Sequence, residues 1–228
     1  MNELLWTLQA KVRTLWFYAQ NTIALLVGMG LIIFLVWFFF LSGPDEFEIT
    51  NYPPTGSTIV LFGDSLVEGV GARQSGGLPG ILSRDLNVQV INEGESGNTT
   101  RDAFMRLSDV TRHRPNIVVV LLGGNDILRS IPEEETFENL EAIVTTLQQS
   151  GAVTVILGVQ SGVFFDEYED NFEALAQQTG SLYVPNVLEE WFDQPTLKSD
   201  QIHPNDAGYQ VMAEEISPTL RELLLAIQ

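Results

Sequence analysis

Cysteine is absent from the 228 residues, and histidine occurs only twice. Without cysteine there is no disulfide, no thiol nucleophile and no cysteine-ligated zinc or iron–sulfur site. Two histidines give little material for a histidine-rich site, so no metal is expected. Chemistry near neutral pH that needs an imidazole must use His113 or His203. Positive charge is scarce too: 11 Lys and Arg stand against 30 Asp and Glu, a net charge of −19. A partner that must neutralise phosphate needs a basic face, so nucleic acid is excluded as the expected partner.

The charge is uneven. Residues 1–43 contain only Glu3, Lys11 and Arg13, a net of +1, and residues 44–228 carry a net of −20. Residues 23–41 (IALLVGMGLIIFLVWFFFL) form a 19-residue run without a charge. As a helix it would be about 28 Å long, close to the hydrocarbon thickness of a bilayer. Trp37 and the Phe38–Phe40 run sit near one end of it, where aromatic belts occur. The run is longer than a signal-peptide core, and no clear cleavage site follows. One N-terminal transmembrane anchor is therefore expected over 23–41. It is preceded by a cytoplasmic segment 1–22 and followed by a proline-bearing linker 42–56 and a domain 57–228. Lys11 and Arg13 precede the span, whereas Asp45, Glu46 and Glu48 follow it, so the positive-inside rule puts the domain on the extracytoplasmic side. Leu4, Leu5, Leu8, Val12, Leu15 and Trp16 share a helical stripe that fits either an interfacial helix or an early helix start.

From residue 58 onward, strand and helix patterns alternate. Short apolar runs at 58–62, 88–91, 117–122 and 153–157, with a weaker one at 182–184, read as buried parallel strands. Apolar residues at three- and four-residue spacing predict helices over 78–86, 100–113, 133–149, 171–178 and 205–227. This alternation predicts an α/β domain with a five-stranded parallel sheet covered on both faces. Ligands of such sheets bind outside the carboxyl ends of the strands. That edge collects Gly63-Asp64-Ser65, the 92–98 loop, Gly123-Gly124-Asn125-Asp126, the 160–165 loop and Asp200-Gln201-Ile202-His203-Pro204. His113 precedes the third strand and belongs by this rule to the opposite edge.

A serine hydroxyl needs a base within hydrogen-bond reach, and the base needs an orienting partner. Ser65 at a strand-to-helix turn, His203 as the histidine on the same edge and Asp200 three residues before it supply those parts. Acyl transfer also needs oxyanion donors. The Ser65 and Gly97 N–H groups and the Asn125 amide are the candidates. The Gly-x-Ser-x-Gly elbow of α/β-hydrolases is absent. Asp64 reads as mainly structural, Glu93 and Glu95 as solvated, and Glu133–Glu135 as carboxylates at a helix start. The Asn98-Thr99-Thr100 sequon adjoins the oxyanion loop, where a glycan would obstruct the site, and is discounted.

The four blocks Val60-Leu61-Phe62-Gly63-Asp64-Ser65-Leu66, Asn92-Glu93-Gly94-Glu95-Ser96-Gly97-Asn98-Thr99, Gly123-Gly124-Asn125-Asp126 and Asp200-Gln201-Ile202-His203-Pro204 resemble, in order, those of the SGNH, or GDSL-type, hydrolases. The 121–129 stretch (LLGGNDILR) looks most like the arylesterase and acyl-thioesterase/lysophospholipase branch. The resemblance implies a flavodoxin-like three-layer α/β/α sandwich without a cofactor. It implies Ser65 as nucleophile, His203 and Asp200 as its partners, and Gly97 and Asn125 as oxyanion donors. It also implies hydrolysis of carboxylic esters or thioesters through an acyl-serine. A carbohydrate O-acetylesterase would use the same residues, and a non-catalytic binding module is a third reading. Ile127, Val163, Phe164 and Phe165, with Leu128 and Ile131, either line a groove for a small acyl-ester or lipid substrate or fold back into the core. A monomeric catalytic domain is expected.

Overall fold

The computed structural model describes residues 11, 13, 16, 25–34, 48–159 and 166–227. The chain divides into two compact units, 1–47 and 48–228. In the first, residues 25–34 are helical, and Leu25, Leu31 and Ile32 are exposed. Among the described residues no helix is long and apolar enough to cross a membrane. The remainder of the expected 23–41 span lies outside them.

The second unit is an α/β fold. Five strands, β1 (Ile59–Gly63), β2 (Val90–Gly94), β3 (Ile117–Leu121), β4 (Val153–Leu157) and β5 (Leu182–Val184), form one sheet in the order β2-β1-β3-β4-β5. Every pair is parallel, and the order is that of flavodoxin-like sheets. The β1 to β2 crossover steps one way along the sheet and the later crossovers step the other. Right-handed connections then put the helices on opposite faces. Accordingly, α1 (Ser65–Glu68) and α2 (Gly77–Leu86) pack together, and α2 packs against the last helix, α9 (Asp206–Leu225). The other layer holds α3 (Thr100–Met105), α4 (Leu107–Thr111), α6 (Glu133–Gln149) and α7 (Asp166–Thr179). Two short helices, α5 (Gly124–Leu128) and α8 (Glu189–Phe192), follow β3 and β5.

The core explains the sequence pattern. Strands β1, β3 and β4 are buried along their whole length and read as unbroken apolar runs. Edge strand β2 differs from its expected position. It runs on through Asn92, Glu93 and Gly94, which pair with Leu61, Phe62 and Gly63. An edge strand buries one side only, so polar residues fit its register. The helix expected over 100–113 is interrupted at Arg106, whose backbone (φ −114°) leaves helical geometry. Residues 48–56, read as linker, are tied to the folded unit: Thr50 N–H donates to the Gly180 carbonyl at 2.8 Å, and Asn51 Nδ2 donates to the Gln148 and Ala152 carbonyls.

Candidate active site

All four blocks converge at the carboxyl edge of the sheet. Strand β1 ends at Gly63, and Ser65 opens α1 on the sharp turn that follows. Asp64 caps that helix, its Oδ1 accepting from the Leu66 N–H at 3.0 Å. The 198–204 loop is closed by a Lys198–Pro204 bridge and by the Ser199 N–H donating to the His203 carbonyl at 2.9 Å. It carries His203 over Ser65.

The distances form a relay. His203 Nε2 lies 3.0 Å from Ser65 Oγ, and His203 Nδ1 lies 2.8 Å from Asp200 Oδ2. Asp200 Oδ1 accepts from the Ile202 and His203 N–H groups, each at 2.9 Å. Those backbone donors and the imidazole hold the Asp200 carboxyl at about 2, well below its ordinary value. An ionised Asp200 accepts the proton of Nδ1, which leaves Nε2 with a lone pair facing the serine hydroxyl. Such a serine can pass its proton to the imidazole as it attacks an electrophilic carbon.

The oxyanion candidates are disposed differently from one another. Among the described residues, neither the Ser65 nor the Gly97 N–H donates to a protein acceptor. Gly97 adopts φ +82°, a left-handed conformation suited to glycine. Its carbonyl accepts from Arg129 Nη2 at 2.6 Å. The Asn125 amide reaches the same corner, with Nδ2 donating to Asp64 Oδ2 at 3.1 Å and to the Asn98 carbonyl at 3.0 Å. Burial pushes the Asp64 carboxyl up to about 6, against the opposing hydrogen bond from Leu66. Asp126 is fully buried and accepts from Thr100 N–H and Oγ1, which docks α3 on α5.

Ser65, His203, Asn125 and Ile127 border an open cleft. Its apolar wall is made by Ile127, Leu128, Val159, Leu188, Phe192 and Ile202. Val163, Phe164 and Phe165 lie outside the described residues. Among the described residues no cluster of three or more acidic or histidine side chains could hold a metal.

Residues 61–211 match the family described as GDSL-like lipase/acylhydrolase. The chain belongs to that family. It is 28% identical over 196 residues to Esterase TesA of Pseudomonas aeruginosa, covering 81% of this chain and 98% of the relative. It is 27% identical over 185 residues to Thioesterase 1/protease 1/lysophospholipase L1 of Escherichia coli K12, covering 77% and 89%. The crystal structure of TesA superposes with a TM-score of 0.68 at 30% identity, covering 73% of this chain and 99% of the other. The protein is therefore a serine esterase of the GDSL family.

Several residues of this GDSL esterase site escape a motif reading. Arg106 sits beneath it with its donors spent on two blocks: Nε to Asn98 Oδ1 at 2.5 Å, Nη1 to the Glu93 carbonyl at 3.1 Å and Nη2 to the Gly63 carbonyl at 2.7 Å. Its guanidinium also stacks 4.7 Å from the Phe62 ring centroid. No local signal marked this residue, because its acceptors Gly63, Glu93 and Asn98 are set by the tertiary fold. Glu93, read as solvated, is instead largely buried and bonded to His113 Nε2 at 2.6 Å and Arg112 Nη2 at 3.3 Å. That contact engages the second histidine away from Ser65. Leu188 and Phe192 carry no motif and reach the cleft through the tertiary fold alone.

Proposed function

We propose that Ser65 is the nucleophile of this esterase, His203 its general base and Asp200 the group that orients the imidazole. The observation that carries the proposal is the continuous Asp200–His203–Ser65 relay opening onto an apolar cleft. Ser65 Oγ attacks the ester or thioester carbonyl while His203 Nε2 takes its proton. The carbonyl oxygen becomes an oxyanion, received by the Ser65 and Gly97 N–H groups and by Asn125. Collapse breaks the bond to the leaving alcohol or thiol, which accepts the proton from the imidazolium. Water activated by the same base then hydrolyses the acyl-serine.

The wall of Ile127, Leu128, Val159, Leu188, Phe192 and Ile202 favours an apolar acyl chain or aryl group. The names of the relatives support small acyl esters, thioesters and lysophospholipids as the substrates to try. The 19-residue uncharged run supports a single membrane anchor at 23–41 with the esterase unit extracytoplasmic. A reporter fused to the C-terminus, active only outside the cytoplasm, tests that orientation. The catalytic domain is taken as monomeric, which sedimentation of the purified protein would check.

Ser65→Ala is expected to lower turnover of p-nitrophenyl esters by at least ~10³-fold while the circular dichroism spectrum is unchanged. A folded Ser65→Ala protein with substantial residual turnover would refute the assignment. A panel of acetyl, octanoyl and palmitoyl esters, lysophospholipids and acetylated sugars separates the lipid-ester reading from carbohydrate O-acetyl hydrolysis.

A further inference from the structure

We infer that Asp64 is a positioning residue whose carboxylate fixes which end of the Asn125 amide faces the reacting carbonyl. The inference rests on the reading of Ser65 as nucleophile and Asn125 as oxyanion donor. Asn125 Nδ2 carries two hydrogens, and both have protein partners: Asp64 Oδ2 at 3.1 Å and the Asn98 carbonyl at 3.0 Å. Both partners are pure acceptors. Rotating the amide by a half turn would set its oxygen against a carboxylate and a carbonyl, so the NH2 end is locked toward this corner. The oxyanion must then share one of these hydrogens in a three-centre bond, and the position of Nδ2 decides how well it does so.

The anchors are themselves fixed. Asp64 Oδ1 is held by the Leu66 N–H. Asn98 is buried, with its Oδ1 held by Arg106 Nε, and Arg106 Nη2 returns to the Gly63 carbonyl beside Asp64. Three family blocks are thus joined in a closed hydrogen-bonded ring. Asp64 is the member of it that can lose its acceptor character by taking up a proton. A protonated Asp64 can donate to the amide oxygen and so permits the reversed orientation. The charged and titratable groups acting on Asp64 are His203 from the 198–204 loop and Asp126 from α5, with Tyr209 of α9 also within its field. Burial brings the Asp64 titration to about 6, inside the range in which an esterase is assayed.

Asp64→Asn is isosteric but sets a donor against a donor, at Leu66 or at Asn125, whichever way its amide turns. The expected result is a roughly 10- to 100-fold fall in kcat with KM within about threefold, because the lost alignment acts on the oxyanion. In an Asn125→Ala background the same substitution is expected to cost little more, since the two residues act through one contact. An unchanged kcat in folded Asp64→Asn, or fully additive losses in the double variant, overturns the inference. If Asp64→Asn does not fold, the acid limb of kcat/KM decides. The natural enzyme should lose kcat/KM more steeply with falling pH through about 6 than Asn125→Ala does, because only the natural site responds to protonation of Asp64 through the amide; equal slopes overturn the inference. Residual activity in Ser65→Ala would instead overturn the catalytic reading, so the two failures are distinguishable.

Discussion

Two carboxylates of the site are driven in opposite directions by their surroundings. Asp200 is exposed and surrounded by donors, which hold it at about 2. It contributes stability above its ordinary value, and that contribution is lost as pH falls through about 2. Asp64 is buried and titrates at about 6 against an ordinary 3.8. The folded protein binds this proton more tightly than the unfolded chain does. The contribution is therefore fully favourable below the ordinary value and is lost as pH rises through about 6. At 1.36 kcal/mol per pH unit, the ionised group costs the fold on the order of 3 kcal/mol at neutral pH. Urea denaturation of the natural protein and Asp64→Asn, at about pH 4 and about pH 7.5, isolates this cost. The stability of the variant relative to the natural protein should rise by about that amount between the two pH values. The misplaced hydrogen bonds of the variant shift both values alike. No relative gain with pH would mean that Asp64 ionises unhindered in the fold.

Strand ends and their glycines decide how closely the site's loops approach each other. A side chain on Gly94 would overlap the Glu68 backbone nitrogen, and one on Gly63 would overlap the Leu121 carbonyl and the Val67 side chain. At both places the neighbour is wholly or partly backbone and cannot swing aside. Gly94→Ala is expected to destabilise by about 1–3 kcal/mol, as overpacking does, and to lower kcat by displacing α1 and Ser65. A drop in urea midpoint together with reduced turnover checks this; an unperturbed midpoint would show that β2 can retreat from α1. The elements that could be read from sequence share one property. Strands β3, β4 and β5 and helix α6 bury patterns that depend on local periodicity alone. The extension of β2 through Asn92 and Glu93 could not be seen, because edge-strand register depends on a partner far away in sequence. The same holds for the interruption at Arg106, whose acceptors are Gly63, Glu93 and Asn98. Ser65, Asn125, Asp200 and His203 were visible because their spacing from strand ends places them on one edge, whereas Leu188 and Phe192 reach the cleft from segments with no periodic signature.

At the scale of the whole molecule, charge and hydrophobicity are segregated. Residues 44–228 carry a net of −20 and residues 1–43 a net of +1. The 48–228 unit has its own core, running from Ile59 to Leu223, and its own site. A fragment of residues 48–228 is therefore expected to unfold cooperatively and to keep the esterase activity of the full chain. Its surface field should repel anionic headgroups, whereas the uncharged 23–41 run has the length and apolarity to partition into lipid. Flotation with vesicles of mixed neutral and anionic lipid separates the two contributions. The full chain should float at low and high salt alike, since burial of apolar surface is not screened. The fragment should remain at the bottom, most completely at low salt, where repulsion reaches furthest. A fragment that floats at low salt and is released by added salt would show a cationic lipid-binding face hidden within the net negative charge. A full chain that fails to float would remove the anchor at 23–41.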